Sequence, residues 1–227
     1  MQIPSFPECN HPIVKSLFHY SDGDLLALFQ RHPEEGRYFT AIFCRYSPIV
    51  YTLIAHSIKS PVQADYLFAL TWRHVLHEMR SLDLRESLEA QGISGEAGSL
   101  TLQNWLINMT AACINQVQLP PVESIHYALN AAPPPLWCYL QQALDQIDPP
   151  GRVMVVMAQT LHWSETRIAA YLQAEGESIA PADVRQQLHL AYRQLHDLLP
   201  QDIRAIYLDG TVPESARERS NEKVALE

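Results

Sequence analysis

An all-α fold in two helical domains is predicted for this chain by three observations. Apolar residues recur at intervals of three and four through both halves of the sequence, the period of a helix with one buried face. Strand-type alternation is hard to find anywhere. A proline-rich stretch over 119–135, with Leu119-Pro120-Pro121 at one end and Ala131-Ala132-Pro133-Pro134-Pro135 at the other, separates the two groups of helices and reads as a stiff, extended linker. The length of 227 residues suffices for two modest cores, and 47% hydrophobic with 18% charged residues marks a globular chain.

Residues 1–20 carry Pro4, Pro7 and Pro12 with little periodicity and are expected to form an extended arm. Ser21 then caps a short helix whose first turn holds Asp22 and Asp24, and Leu25, Leu26, Leu28 and Phe29 form its apolar face. From Tyr38 to Ser57, the positions Phe39, Ile42, Phe43, Tyr46, Ile49, Val50, Leu53 and Ile54 give one broad buried face, with a bend expected at Pro48. Ser60-Pro61 restarts the chain as cap and first helical position of a helix to about Met79, burying Tyr66, Leu67, Leu70, Val75 and Met79. Asp83 to Ser99 is polar and glycine-containing, so a loop is expected there. Leu100 to Val117 is helical again through Leu102, Trp105, Leu106, Met109 and Cys113, closing a first domain over 21–118.

A second domain is expected over 136–209. Leu136 to Ile147 is one helix, and Pro149-Pro150 opens another that runs to about Leu161. Ser164 caps a third, with Ile168, Ala169 and Leu172 facing inward. After a turn of about eight residues, Pro181 opens a longer helix reaching Leu199. Its seam is Val184, Leu188, Ala191, Leu195 and Leu198, and its other side offers Arg185, Gln186, His189, Arg193 and Gln194. A short helix, a turn and a longer helix with a donor-rich outer face is what helix-turn-helix recognition requires. An ordinary antiparallel helix pair with a solvated face has the same spacing. The charged, apolar-poor tail over 210–227 is expected to be disordered.

A net charge of −9 excludes a whole-chain basic field for nucleic acid, so any DNA contact must be local or supported by a larger partner. The four cysteines (Cys9, Cys44, Cys113, Cys138) lack a C-x-x-C pair, and the last three lie in apolar surroundings, where a thiol acts as a small buried hydrophobe. No basic stretch followed by an apolar run opens the chain, and no apolar stretch approaches the ~20 residues that span a bilayer. A cytoplasmic protein is expected. Among ten histidines, His74 and His77 beside Glu78, and His189 with His196, do not make three or four converging ligands. Ser164 has no Gly-x-Ser-x-Gly setting, and no phosphate-binding glycine loop is present. Neither metal, cofactor nor enzymatic activity is expected.

Specific wording then narrows the class. Leu144-Asp145-Gln146-Ile147-Asp148-Pro149-Pro150-Gly151-Arg152-Val153, Leu161-His162-Trp163-Ser164 and Arg167-Ile168-Ala169-Ala170-Tyr171-Leu172 together resemble the fourth conserved region of bacterial RNA polymerase sigma factors of the sigma-70 family. Tyr46-Ser47-Pro48-Ile49-Val50-Tyr51 resembles the start of that family's second region. Asp65-Tyr66-Leu67 through Thr71-Trp72-Arg73 resembles its core-polymerase docking helix, and Trp105-Leu106-Ile107-Asn108-Met109 the helix that holds the downstream promoter element. The matches fall in family order over about Leu25 to Leu199 and are most similar to the minimal, two-domain extracytoplasmic-function group.

The resemblance implies a region 2-like helical bundle and a region 4-like helix-turn-helix in a factor that binds core RNA polymerase and directs it to promoter DNA. It implies DNA contacts from Arg185, Gln186, His189, Arg193, Gln194 and Arg167, and from Trp105 and Asn108 by stacking or base reading. Polymerase contacts are implied for Asp65, Leu67, Phe68, Trp72 and Arg73. An anti-sigma or other regulatory protein is a further partner it admits.

The chain also departs from the family. No lysine or arginine lies between Arg85 and Arg152, so the Trp105 helix lacks the cations that meet a melted strand. The docking helix has Ala69-Leu70-Thr71 where the family carries acidic residues, and Glu175-Gly176-Glu177-Ser178 brings two carboxylates near the expected DNA. Two readings therefore stand: a working sigma factor that takes most of its DNA affinity from core polymerase, or a sigma-like regulatory or scaffold protein that binds a protein partner and no longer melts promoters.

Overall fold

The computed structural model describes residues 3–83 and 101–209. Every regular element among them is helical, as the apolar spacing predicts. The loop expected over Asp83 to Ser99 lies, beyond Asp83, outside the described residues, as does the tail from Gly210. No helix among the described residues is long and apolar enough to cross a membrane.

The described chain divides into two compact units, one of residues 3–138 with 201–209 and the other Tyr139–Pro200. The first holds α1 (Pro12–Lys15), α2 (Asp22–Arg31), α3 (Gly36–Ser57), α4 (Pro61–Glu78), α5 (Leu102–Gln116), the start of α6 (Pro134–Gln146) and α10 (Gln201–Tyr207). The second holds the rest of α6, α7 (Pro149–Gln159), α8 (Glu165–Ala174) and α9 (Pro181–Leu198).

Packing in the first unit centres on α3, which touches α1, α2, α4, α5 and α10. A helix surrounded on most sides must be apolar around most of its circumference, and Phe39, Ala41, Ile42, Phe43, Val50 and Ile54 are all buried. The helix runs uninterrupted through Pro48. Around Phe43, edge-on ring contacts reach Phe6 at 4.8 Å and Trp72 at 5.0 Å. Local caps start the neighbouring helices: Ser21 Oγ accepts from Asp24 N–H, Ser60 Oγ from Gln63 N–H and Thr101 Oγ1 from Asn104 N–H. Asp22 in the first turn of α2 also takes the Arg45 guanidinium and the Tyr46 hydroxyl from α3. Gln30 at the end of α2 donates to the carbonyls of Met79 and Leu82, which follow α4.

The structure corrects four expectations. Residues 1–20 are not an extended arm: a 3-10 turn (Pro7–Asn10) and α1 pack on α3, burying Phe6, Val14 and Leu17. Cys44 is not a buried free thiol, because it forms a disulfide with Cys9 across a Cα–Cα distance of 5.4 Å. The proline-rich segment packs on the first unit: Leu129 is buried, Gln63 Nε2 donates to Pro120 O, and Tyr127 lies against the rings of Tyr66 and Trp137. Pro134 and Pro135 stand inside α6, because the first turn of a helix needs no donor from them.

The fourth concerns 201–209, expected to continue the C-terminal domain. These residues rejoin the first unit, where Ile203 and Ile206 are buried. Asp202 accepts from Gly36 N–H at 3.1 Å and Arg37 N–H at 2.8 Å. It caps α3, whose own N-cap residue Glu35 makes no side-chain cap bond.

Candidate nucleic-acid interface

The second unit is assembled by local signals in sequence order. Asp148 caps α7 by accepting from Gly151 N–H at 3.1 Å, and Pro149-Pro150 occupy its first turn. A Cβ on residue 151 would come within 3.1 Å of Asp148 Oδ1 and 3.2 Å of Ile147 Cγ2, so a side chain there would crowd the cap. His162 turns the chain with φ of 52°, Trp163 N–H bonds back to Met157 O, and Ser164 Oγ caps α8 by accepting from Arg167 N–H.

The end of α8 is a Schellman motif: Glu177 N–H bonds to Leu172 O and Gly176 N–H to Gln173 O, with Gly176 at φ 97°. Gln173 Nε2 then reaches Ile179 O, and Asp183 Oδ2 accepts from Ala180 N–H at the start of α9. The turn of residues 175–180 is therefore shorter than the eight residues expected and is closed by its own hydrogen bonds. Beneath it, Ile168 and Ala169 of α8 and Val184, Leu188, Ala191 and Leu195 of α9 are buried, while Leu198 is 38% exposed and leaves the expected seam.

Arg185, Gln186, His189, Arg193 and Gln194 are all exposed on α9, but they do not share one face. At 100° per residue, Gln194 lies ~180° around the helix from Arg185. It lines a separate groove of about 690 Å³ with Gln187, Leu190, Val153 and Ile179. Arg185 and His189 instead border a pocket of about 430 Å³ with Trp163, Ser164, Glu165 and Tyr192, and Gln159 Nε2 donates to the Tyr192 hydroxyl. Arg167 is exposed on α8, with its guanidinium 4.3 Å above the Trp163 ring.

Glu165, in the first turn of α8, clamps Arg185. The guanidinium donates from Nε and Nη2 to the two carboxylate oxygens at 3.0 and 2.8 Å. Such a fork-to-fork pair uses the geometry that reads a base edge or grips a phosphate. The bonded guanidinium holds the Glu165 carboxyl below its ordinary range. No local spacing signals this pair, because the partners are 20 residues apart on different helices.

The residues expected on the first unit divide sharply. Leu67, Phe68 and Trp72 of α4 are at most 1% exposed and belong to the core, so this surface does not offer them to a partner. Their apolar bulk is used internally, against Phe43, Tyr51 and Phe39. Asp65 is half-buried and accepts from the Tyr51 hydroxyl at 2.9 Å. Burial raises its carboxyl above the ordinary range, although the Tyr51 bond works the other way. Arg73 is exposed, 5.6 Å over the Trp137 ring. On α5, Asn108 is exposed and Trp105 partly so, while Leu102, Leu106, Thr110 and Cys113 are buried. A core tryptophan is the commoner use of such spacing, and here Trp105 is neither fully buried nor fully exposed.

The histidine pairs do not converge on further ligands. Among the described residues, one surface group of His32, Glu34 and Glu35 brings three ligand-type side chains together, and Glu35 is paired with Arg37. No protein-family model matches this chain, and neither a curated protein nor a solved structure matches it.

Proposed function

We propose that this chain is a sigma-like transcription initiation factor that binds core RNA polymerase and directs it to promoter DNA. The observation that carries the reading is the pairing of α8 with α9 across a hydrogen-bonded turn, with Arg185, Gln186, His189 and Arg193 on the exposed side of the longer helix and Arg167 on the shorter one. That arrangement supplies cations for phosphates and forked donors for base edges. The family-ordered motifs over Leu25 to Leu199 support the polymerase part of the reading. Phosphate contacts from a few arginines contribute modestly on a chain of net charge −9, so polymerase supplies most of the affinity for DNA. The chain uses no cofactor in this role and catalyses no reaction itself.

A second reading, a sigma-like regulator without promoter melting, is favoured by two specific observations. Leu67, Phe68 and Trp72 are sequestered in the core, and no lysine or arginine stands on α5. Pull-down with core polymerase, followed by transcription from a promoter library, separates the two. Binding with selective transcripts supports the initiation factor, binding without transcripts supports the regulator, and absence of binding refutes the initiation factor and turns the second reading to another protein partner. Arg185→Ala combined with Arg193→Ala is expected to abolish promoter selectivity while the fold survives, because both side chains lie on the exposed side of α9.

A further inference from the structure

Two of the four cysteines differ from the others in accessibility. Cys113 and Cys138 are buried, and burial pushes both thiols up, away from the reactive thiolate. Cys9 and Cys44 are each partly exposed and are joined to one another across 35 residues. An accessible pair held at bridging distance is within reach of both oxidants and exchanging thiols.

The bridge also holds something in place. Phe6, three residues before Cys9, meets Phe43 edge-on at 4.8 Å and stacks over Phe68 at 5.9 Å. Glu8, adjacent to Cys9, is only 5% exposed, with its carboxyl 3.3 Å from the Tyr207 hydroxyl of α10. Aromatic burial draws the segment onto the core, while desolvation of a carboxyl opposes it. The covalent link lies directly beside that carboxyl and ties the segment to α3.

We propose that Cys9 and Cys44 form a redox-responsive latch, closed by hydroperoxides, that fastens residues 6–17 over the Phe43 and Phe68 side of α3 and α4. One thiolate attacks the peroxide oxygen, releasing an alcohol or water and leaving a sulfenic acid. The second thiol displaces hydroxide from that sulfur, forming the S–S bond, and the hydroxide leaves as water with the thiol proton. The two sulfurs together lose two electrons, and the peroxide bond gains them. A cellular thiol reverses the reaction by exchange. In its consequence the latch rests on the sigma-like reading, since α4 carries the docking-helix motif: the closed latch covers Phe68, and opening it uncovers that side of α4.

The test uses the full chain, fully reduced and then treated with hydrogen peroxide, with alkylation, peptide mapping by mass spectrometry and hydrogen exchange. Peroxide is expected to remove two alkylatable thiols as a Cys9–Cys44 link and to slow exchange across residues 6–17 at least tenfold. Cys9→Ser with Cys44→Ser, treated identically, is expected to exchange like the reduced chain. Thiols left unlinked by peroxide, or exchange that is the same in both forms, would overturn the latch. Core polymerase pull-down of the two forms then tests the consequence. Stronger capture of the reduced form supports cover of the α4 side, and equal capture refutes it. Capture of neither form, with the exchange contrast intact, removes the polymerase reading and leaves the latch standing.

Discussion

Replacing Asp202 with alanine is expected to destabilise the first unit by about 1–2 kcal/mol, although Asp202 lies far from that unit's other helices in sequence. The first turn of α3 presents amide donors that no residue within the helix can accept. Glu35, at the capping position, makes no side-chain bond to them. Asp202 supplies both oxygens, at 3.1 Å to Gly36 N–H and 2.8 Å to Arg37 N–H, from 166 and 165 residues away. Loss of a helix cap costs ~1 kcal/mol. Leaving part-buried amides without acceptors, and removing an anion from a helix N-terminus, moves the cost toward the upper end, to about 2 kcal/mol. Asp202→Asn keeps one acceptor oxygen and should lose roughly half as much. Urea unfolding followed by far-UV circular dichroism gives the difference, and hydrogen exchange at the Gly36 and Arg37 amides locates it. An unchanged midpoint with unchanged exchange at those two amides would refute a cap formed in trans.

Three further outcomes are expected. Burial holds the Glu8 carboxyl above its ordinary pKa, against a backbone hydrogen bond and the Tyr207 hydroxyl, which work the other way; its stabilising contribution is therefore complete below the unfolded-state value and lost as pH rises through the folded one. Glu8→Gln should accordingly be more stable than the parent chain at pH 7.5, with the gap closing near pH 4, and denaturation at the two pH values checks the sign. Leu195→Ala should cost about 2–4 kcal/mol, and Leu198→Ala less than ~0.5 kcal/mol, because Leu195 is 8% exposed and Leu198 38%; equal losses in thermal unfolding would contradict the seam. On the proposed sigma-like reading, Glu165→Gln should release Arg185 for DNA and steepen the dependence of holoenzyme–promoter affinity on salt by about one counterion, measured by fluorescence anisotropy. Weaker promoter binding by that variant would mean that Glu165 orients Arg185 rather than occupying it.

Patterns of short range were legible in the amino-acid sequence. Ser21, Ser60 and Ser164, expected as caps, each bond an amide three residues on, and Thr101 and Asp148 do the same without having been expected. The buried faces of α3 and α9 follow from a 3.6-residue period, and the α8–turn–α9 pairing from Gly176, Pro181 and the seam between them. Burial faces were less legible where a helix is covered on several sides. The motif on α4 marked Leu67, Phe68 and Trp72 as contact residues, yet neighbours of the same chain bury all three. Leu198 satisfied the period but is 38% exposed, while Leu199 beside it is buried.

What only the tertiary structure decided are the pairings between distant residues. Cys9 with Cys44, Glu165 with Arg185, Glu8 with Tyr207 and Asp202 with the start of α3 have no spacing of their own. The same holds for the N-terminal segment, whose prolines suggested an extended arm until Phe6 found the ring cluster of α3 and α4. Hydrogen-bonded caps and helical periods act over three to seven residues, so they are written locally. Which carboxylate meets which guanidinium, and which thiol meets which, depends on how helices pack, and packing is settled by the whole apolar surface at once.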